Sequence, residues 1–118
     1  MKFRKNTDWS GKLSRRTQIE ALLMDEPRDT FLRYALAMEH ISEKNLESAL
    51  EVFADLQSEQ PPYVPAFFMA GQQLTKLGRI DEARSVLRDG IEHARTQGDG
   101  HAAGEMSQFL ASLGQLGN

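Results

Sequence analysis

Chemistry in this chain would start from its three histidines, since there is no cysteine to serve as a nucleophile or a soft metal ligand. Glu39 and Glu43 flank His40, and Asp89 and Glu92 precede His93, while His101 stands alone near the end. Asp89 and His93 are four residues apart, which places both on one face of a helix. A metal needs three or four ligands, and no third follows at helical spacing, so the pair reads as an ion pair on a helix surface. The acidic doublets Asp25/Glu26 and Asp81/Glu82 fall at helix ends, where negative charge is ordinary. No phosphate loop, dinucleotide fingerprint or Ser-His-Asp arrangement is present. These residues predict no catalytic centre, no cofactor and no metal.

The elements that would carry such residues follow from length, charge and periodicity. At 118 residues the chain is one domain, without disulfides, which suits a cytoplasmic setting. Its longest apolar run, Tyr63 to Ala70, is far below the roughly 20 residues of a membrane helix, and residues 2–13 lack the apolar stretch of a secretory signal. Residues 1–16 hold six bases (Lys2, Arg4, Lys5, Lys12, Arg15, Arg16) against Asp8, a net +5, whereas the remainder has eight bases and 16 acids, a net −8. Residues 1–13 therefore form a basic arm. Its ordinary meaning is a solvated terminus. Phe3 and Trp9 among the bases open a second reading, contact with nucleic acid, an anionic surface or the acidic body of the same protein.

Beyond the arm the pattern is helical throughout, and it repeats. Leu36, Ala37, Leu46, Ala49, Val52, Phe53 and Leu56, moved forward by 34 residues, land on Ala70, Gly71, Ile80, Ala83, Val86, Leu87 and Gly90. A helix-turn-helix period of about 34 residues predicts stacked hairpins that bury a continuous core. The expected organisation is a degenerate half-repeat over 14–26, repeats over 30–61 and 64–95, and a capping helix over 101–113, with the domain spanning 14–118. Ser14 is the expected N-cap of the first helix. Pro61, Pro62 and Pro65 mark the joint between repeats. The fold class is all-α, an α-α superhelix of about six helices.

Small residues set the packing. Ala37 with Ala49, and Gly71 with Ala83, are expected where the two helices of each hairpin cross, leaving room for Phe53 and Leu87 between hairpins. Gly78 suits a left-handed turn residue in the second hairpin, and Asn45 is expected to take that role in the first. Arg84 falls on the outer side of its helix.

On these residues the chain resembles the tetratricopeptide repeat family. Residues 64–95 carry Phe67, Ala70, Gly71, Leu74, Gly78, Ala83 and Leu87 at the motif positions, and residues 30–61 carry Leu36, Ala37, Ala49, Phe53 and Pro61. Arg33 and His40 depart from the motif, standing where large apolar residues are usual. The resemblance implies a non-catalytic scaffold or adaptor, whose ligand surface is the concave face lined by the first helix of each hairpin. On this sequence that face presents Phe31, Tyr34, Met38 and Ile41, then Phe68, Gln72, Thr75 and Lys76. An apolar stripe of this kind is either core, covered by the chain's own terminal segments, or a groove for an amphipathic helix, an extended peptide or a second copy of the chain. Family members that clamp a terminal carboxylate use Lys, Asn and Arg here; Tyr34 and Met38 take those places, which argues against that activity.

Overall fold

In a computed structural model, described over residues 14–114, the chain forms six α-helices. These are α1 (Arg15–Asp25), α2 (Thr30–Ser42), α3 (Leu46–Gln57), α4 (Val64–Lys76), α5 (Ile80–Thr96) and α6 (Gly100–Leu113). Each packs against its neighbour in the chain, and α4 also meets α6. The hairpins α2–α3 and α4–α5 fall within the two expected repeats, with α1 before them and α6 after them. The basic arm, residues 1–13, lies outside the described residues.

Helix starts are written in side chains. The Ser14 hydroxyl accepts from the Thr17 N–H, Asp29 from Leu32 and Asp99 from Ala102, each occupying one of the orphan donors of a first turn. Pro65 sits in the first turn of α4, where a missing N–H costs nothing. Gly78 and Gly98 end α4 and α5 at φ +78° and +79°. Between α2 and α3 the left-handed residue is Lys44, at φ 62°, not Asn45, which has φ −101° and begins α3. The turn has the expected length, and the strain falls one residue earlier.

Two clusters make the core. The first gathers Ala37, Ala49, Phe53, Leu56, Ala66 and Ala70 between α2, α3 and α4. The second gathers Phe67, Leu74, Ala83, Leu87, Ile91, Ala103, Met106 and Leu113 across α4, α5 and α6, and Leu50 and Val86 touch both. Phe53, Leu56, Leu87, Met106 and Leu113 are fully buried, each contributing about 1.5–3 kcal/mol of transfer free energy. The alanines expected at the helix crossings, Ala37, Ala49 and Ala83, are all at 0% exposure. A Cβ on Gly71 would lie 2.7 Å from the Leu87 side chain, so its absence is what lets Leu87 sit between helices. Gly90 is tighter. A Cβ there would come within 2.5 Å of the Phe67 Cβ and 2.7 Å of the Met106 sulfur.

Polar residues complete the frame. Arg33, 8% exposed, places its Nη1 3.0 Å from a Glu59 carboxylate oxygen that Arg28 also contacts, tying the start of α2 to the joint after α3. Its departure from the motif is thus absorbed as an ion pair. Arg79 spans from Glu82 to Glu47 on α3, and the bonds to Arg79 hold the Glu82 carboxyl below the usual carboxylate range. Arg84 is not an idle outer residue: it donates to the Leu113 carbonyl at 2.8 Å, satisfying the C-terminal end of α6. Asp89 and His93 do not pair; the His93 ring lies against Phe67 at 5.2 Å, and the histidine that meets a carboxylate at that spacing is His101, 3.5 Å from Glu105. Among the described residues no helix is long and apolar enough to cross a membrane, and no three His, Asp or Glu converge on one point.

The two ends differ. One face of α6 carries Gly100, His101, Gly104, Glu105 and Gln108, all exposed and mostly polar. On α1 no residue is buried, and Leu22 and Met24 are 55% and 83% exposed. Ion pairs from Arg15 to Glu39 and from Arg16 to Glu43 join it to α2.

Two substitutions of one kind separate packing from propensity. Gly104 and Gly90 are both interior to helices, where alanine is favoured by roughly 1 kcal/mol. Nothing lies within 4 Å of a Cβ on Gly104, so Gly104→Ala is expected to raise stability by up to that amount. Gly90→Ala is expected to lower it by about 1–3 kcal/mol, because Phe67 meets the new methyl at its own Cβ and cannot swing away. Urea unfolding midpoints of the two variants check this. Deletion of residues 101–118 removes Met106 and Leu113 from the core and should cost several kcal/mol or cause aggregation on the same measurement.

Candidate binding groove

Helices α2, α4 and α6 all contribute to one hollow, which receives part of the apolar stripe. It encloses about 140 Å³ and is lined by Tyr34 from α2, Val64, Pro65, Phe68 and Met69 from α4, and Asp99, Ala102, Glu105 and Met106 from the start of α6. Past Phe68 and Glu105 it continues as a shallower trough to Gln108, Phe109 and Ser112. The volume is below the roughly 300–1,000 Å³ of small-molecule sites and suits one large apolar side chain presented by a longer ligand.

Aromatic contacts fix the walls. The Tyr34 ring meets Phe53 at 5.8 Å and Tyr63 at 5.5 Å, edge to face, so half of it belongs to the first core and half to the groove. Burial, and after it the neighbouring Tyr63, pushes the Tyr34 hydroxyl above its usual value of 10. Across the hollow Phe68 packs on Phe109 of α6 at 5.9 Å. Asp99 and Glu105 bring carboxylates to the rim.

Of the residues expected on this face, the hollow brings Tyr34 and Phe68 together. Phe31 is 74% exposed at the start of α2 and stands free of the core. Met38 and Ile41 are half-buried against the first core cluster. Gln72 and Thr75 are half-buried on α4, with the Thr75 hydroxyl turned back onto the Gly71 carbonyl at 2.8 Å, and Lys76 is exposed at the helix end. The stripe is therefore neither all core nor all open. Val64, Pro65, Met69, Asp99, Ala102, Glu105 and Met106 were not expected, yet the period contains several of them. Pro65 and Asp99 follow Phe31 at 34 and 68 residues, Ala102 follows Tyr34 and Phe68, and Met106 follows Met38 and Gln72. Carrying the register one repeat further would have found them.

No protein-family model matches the chain. It is 26% identical over 95 residues to a TPR repeat-containing protein of Pseudomonas aeruginosa, covering 80% of this chain and 90% of that one. Among solved structures it is similar to a tetratricopeptide repeat domain protein from Salinibacter ruber, at 34% identity in both a crystal and a solution structure. The crystal structure superposes with a TM-score of 0.69 over 75% of this chain and 99% of its own, and the solution structure with 0.70 over 74% and 88%.

The raised Tyr34 hydroxyl gives a pH test of the groove wall. Above its usual value of 10 the unfolded chain ionises Tyr34 before the folded chain does. The unfolded state then binds fewer protons, and stability present below that pH is lost as pH rises through the folded value. Between about pH 9 and 11 the unfolding midpoint of the parent chain should fall further than that of Tyr34→Phe, which removes this contribution.

Proposed function

Since the chain belongs to the tetratricopeptide repeat family, we propose that it is a non-catalytic interaction module that holds a partner helix or extended peptide along the groove crossing α2, α4 and α6. The observation that carries this reading is the hollow itself, an apolar recess shared by three helices and walled by Tyr34 and Phe68. A recess with aromatic walls and a polar rim is the pattern in which one anchoring side chain supplies much of the binding free energy. Phe31 stands in the same register as Pro65 and Asp99 and extends the apolar surface past the rim. An exposed phenylalanine there serves a partner better than it serves the fold.

The contact surface proposed is Phe31, Tyr34, Met38, Ile41, Phe68, Gln72, Thr75 and Lys76, completed by Pro65, Asp99, Ala102 and Glu105. Polar Gln72 and Lys76 at the far end would set direction, and the apolar half would set affinity. The partner is a protein segment, and a second copy of the chain is one such partner.

Phe31 makes the clean test, because it is exposed and its loss should leave stability within about 0.5 kcal/mol. Phe31→Ala is expected to weaken partner capture by about 2 kcal/mol, some thirtyfold, with an unchanged unfolding midpoint. Tyr34→Ala and Phe68→Ala should weaken capture and also lower stability, since each ring packs on a core or capping aromatic. Calorimetric titration of a partner recovered with the parent chain reads affinity, and urea unfolding reads stability. A partner bound equally by all three variants would move the interaction off this face.

A further inference from the structure

The groove is apolar on its floor and acidic on its rim, and we propose that in the free chain it is occupied by the chain's own residues 1–13, which a partner must displace. The inference rests on the reading of the groove as the partner site. Charge supports it first. Asp99 and Glu105 hold the rim, and residues 17–118 carry eight bases against 16 acids, while residues 1–13 carry Lys2, Arg4, Lys5 and Lys12 against Asp8 alone. Opposite potentials of this kind draw a segment toward the face that complements it.

Composition supports it second. Phe3 stands between Lys2 and Arg4, and Trp9 lies three residues before Lys12, so one short segment offers both a ring for the hollow between Tyr34 and Phe68 and cations for the rim. Reach supports it third. The Arg16 Nε lies 2.9 Å from Glu43, which pins the start of α1 beside the C-terminal end of α2. Tyr34 lies further back along α2 by about 14 Å at helical rise. The residues from Trp9 to Ser14 span up to about 17 Å when extended, and those from Phe3 to Ser14 about 37 Å. The extended length therefore suffices for Trp9 to reach the near wall at Tyr34, and leaves Phe3 about 20 Å more. Tethering raises the local concentration of the segment to the order of millimolar, so weak contacts suffice to fill the groove and still yield to a partner.

Trp9 is the only tryptophan, so its fluorescence reports on the segment in the full chain. At low salt its emission is expected to be blue-shifted and its quenching by acrylamide slower than in a synthetic peptide of residues 1–13. Glu105→Lys is expected to lower the docked-to-free ratio roughly fivefold, as one exposed attraction becomes a repulsion. Asp89→Lys, the same charge change on an exposed residue of α5 outside the groove lining, should leave Trp9 protected. Raising salt from about 0.05 to 0.5 M should also free it. A Trp9 quenched as fast as in the peptide overturns the proposal, as does protection that Glu105→Lys and Asp89→Lys affect alike. Protection that grows with protein concentration overturns it too, because the occupant is then a second copy's segment. A free Trp9 with capture lost in Phe31→Ala removes the docked segment and leaves the partner groove standing. Protection lost in Glu105→Lys, with capture unchanged in the inner-face variants, keeps the docked segment and removes the partner reading.

Discussion

The structure depends on how closely α5 lets its neighbours approach. Gly90 has room for no side chain: Phe67 of α4 and Met106 of α6 both press on its Cα, within 2.7 Å of where a methyl would sit. That contact brings α4 and α6 over the same turn of α5, and it is why α6 meets α4 as well as α5. The groove is the other side of this arrangement. Phe67 points into α5 while its neighbour Phe68 turns outward to Phe109, and Met106 is shared between the core and the groove floor. Any side chain at Gly90 would push α6 outward and open the recess from below, so packing density in the core sets the shape of a surface site.

How much of this was legible follows from what a repeat records. Period and phase gave six helices in the observed order, because an apolar face at helical spacing and the prolines at Pro61, Pro62 and Pro65 leave little choice. The same period put Tyr34 and Phe68 on one face, and both line the hollow. Contacts made across the stack were not legible, since they belong to no single repeat. Arg84 reaches Leu113 from 29 residues away, and nothing local marks it as a helix cap. Asp89 and His93 had the spacing of an ion pair, but His93 is turned toward Phe67 by burial of its ring. Lys44 rather than Asn45 takes the left-handed turn because Asn45 already contributes its carbonyl to the first turn of α3, accepting from Ala49. Sequence statistics favour asparagine at such a φ; the start of the helix decides otherwise.

Arg33 and His40 show how a motif departs from its family without losing the fold. Both stand where the motif prefers large apolar residues: Arg33 is paired with Glu59, and His40 is half-buried on α2 with its Nδ1 making no hydrogen bond. A buried ion pair gains little net stability, since desolvation offsets attraction, but removing Glu59 would leave Arg33 without its counter-charge. The pair therefore acts mainly on geometry, joining the start of α2 to the joint between repeats and so setting where Tyr34 meets α4.

The hairpins and their cap form a graded stack. α4, α5 and α6 share the larger core cluster, with Leu87, Met106 and Leu113 fully buried, whereas α1 buries nothing completely. Its links to α2 include ion pairs at partly exposed sites, which contribute about 0.2–1 kcal/mol each. Local opening should then begin at α1 and stop at the α4–α6 core, with α2 between them. The groove straddles that gradient: Phe68, Ala102 and Met106 stand on the rigid side, and Tyr34 is held from the softer side by Tyr63 and Phe53. A ligand seated between Tyr34 and Phe68 would tie the two sides together. Its binding free energy would then act as folding free energy for α2 and, through α2, for α1, so occupancy of the groove and order at the N-terminal end of the stack are linked by necessity.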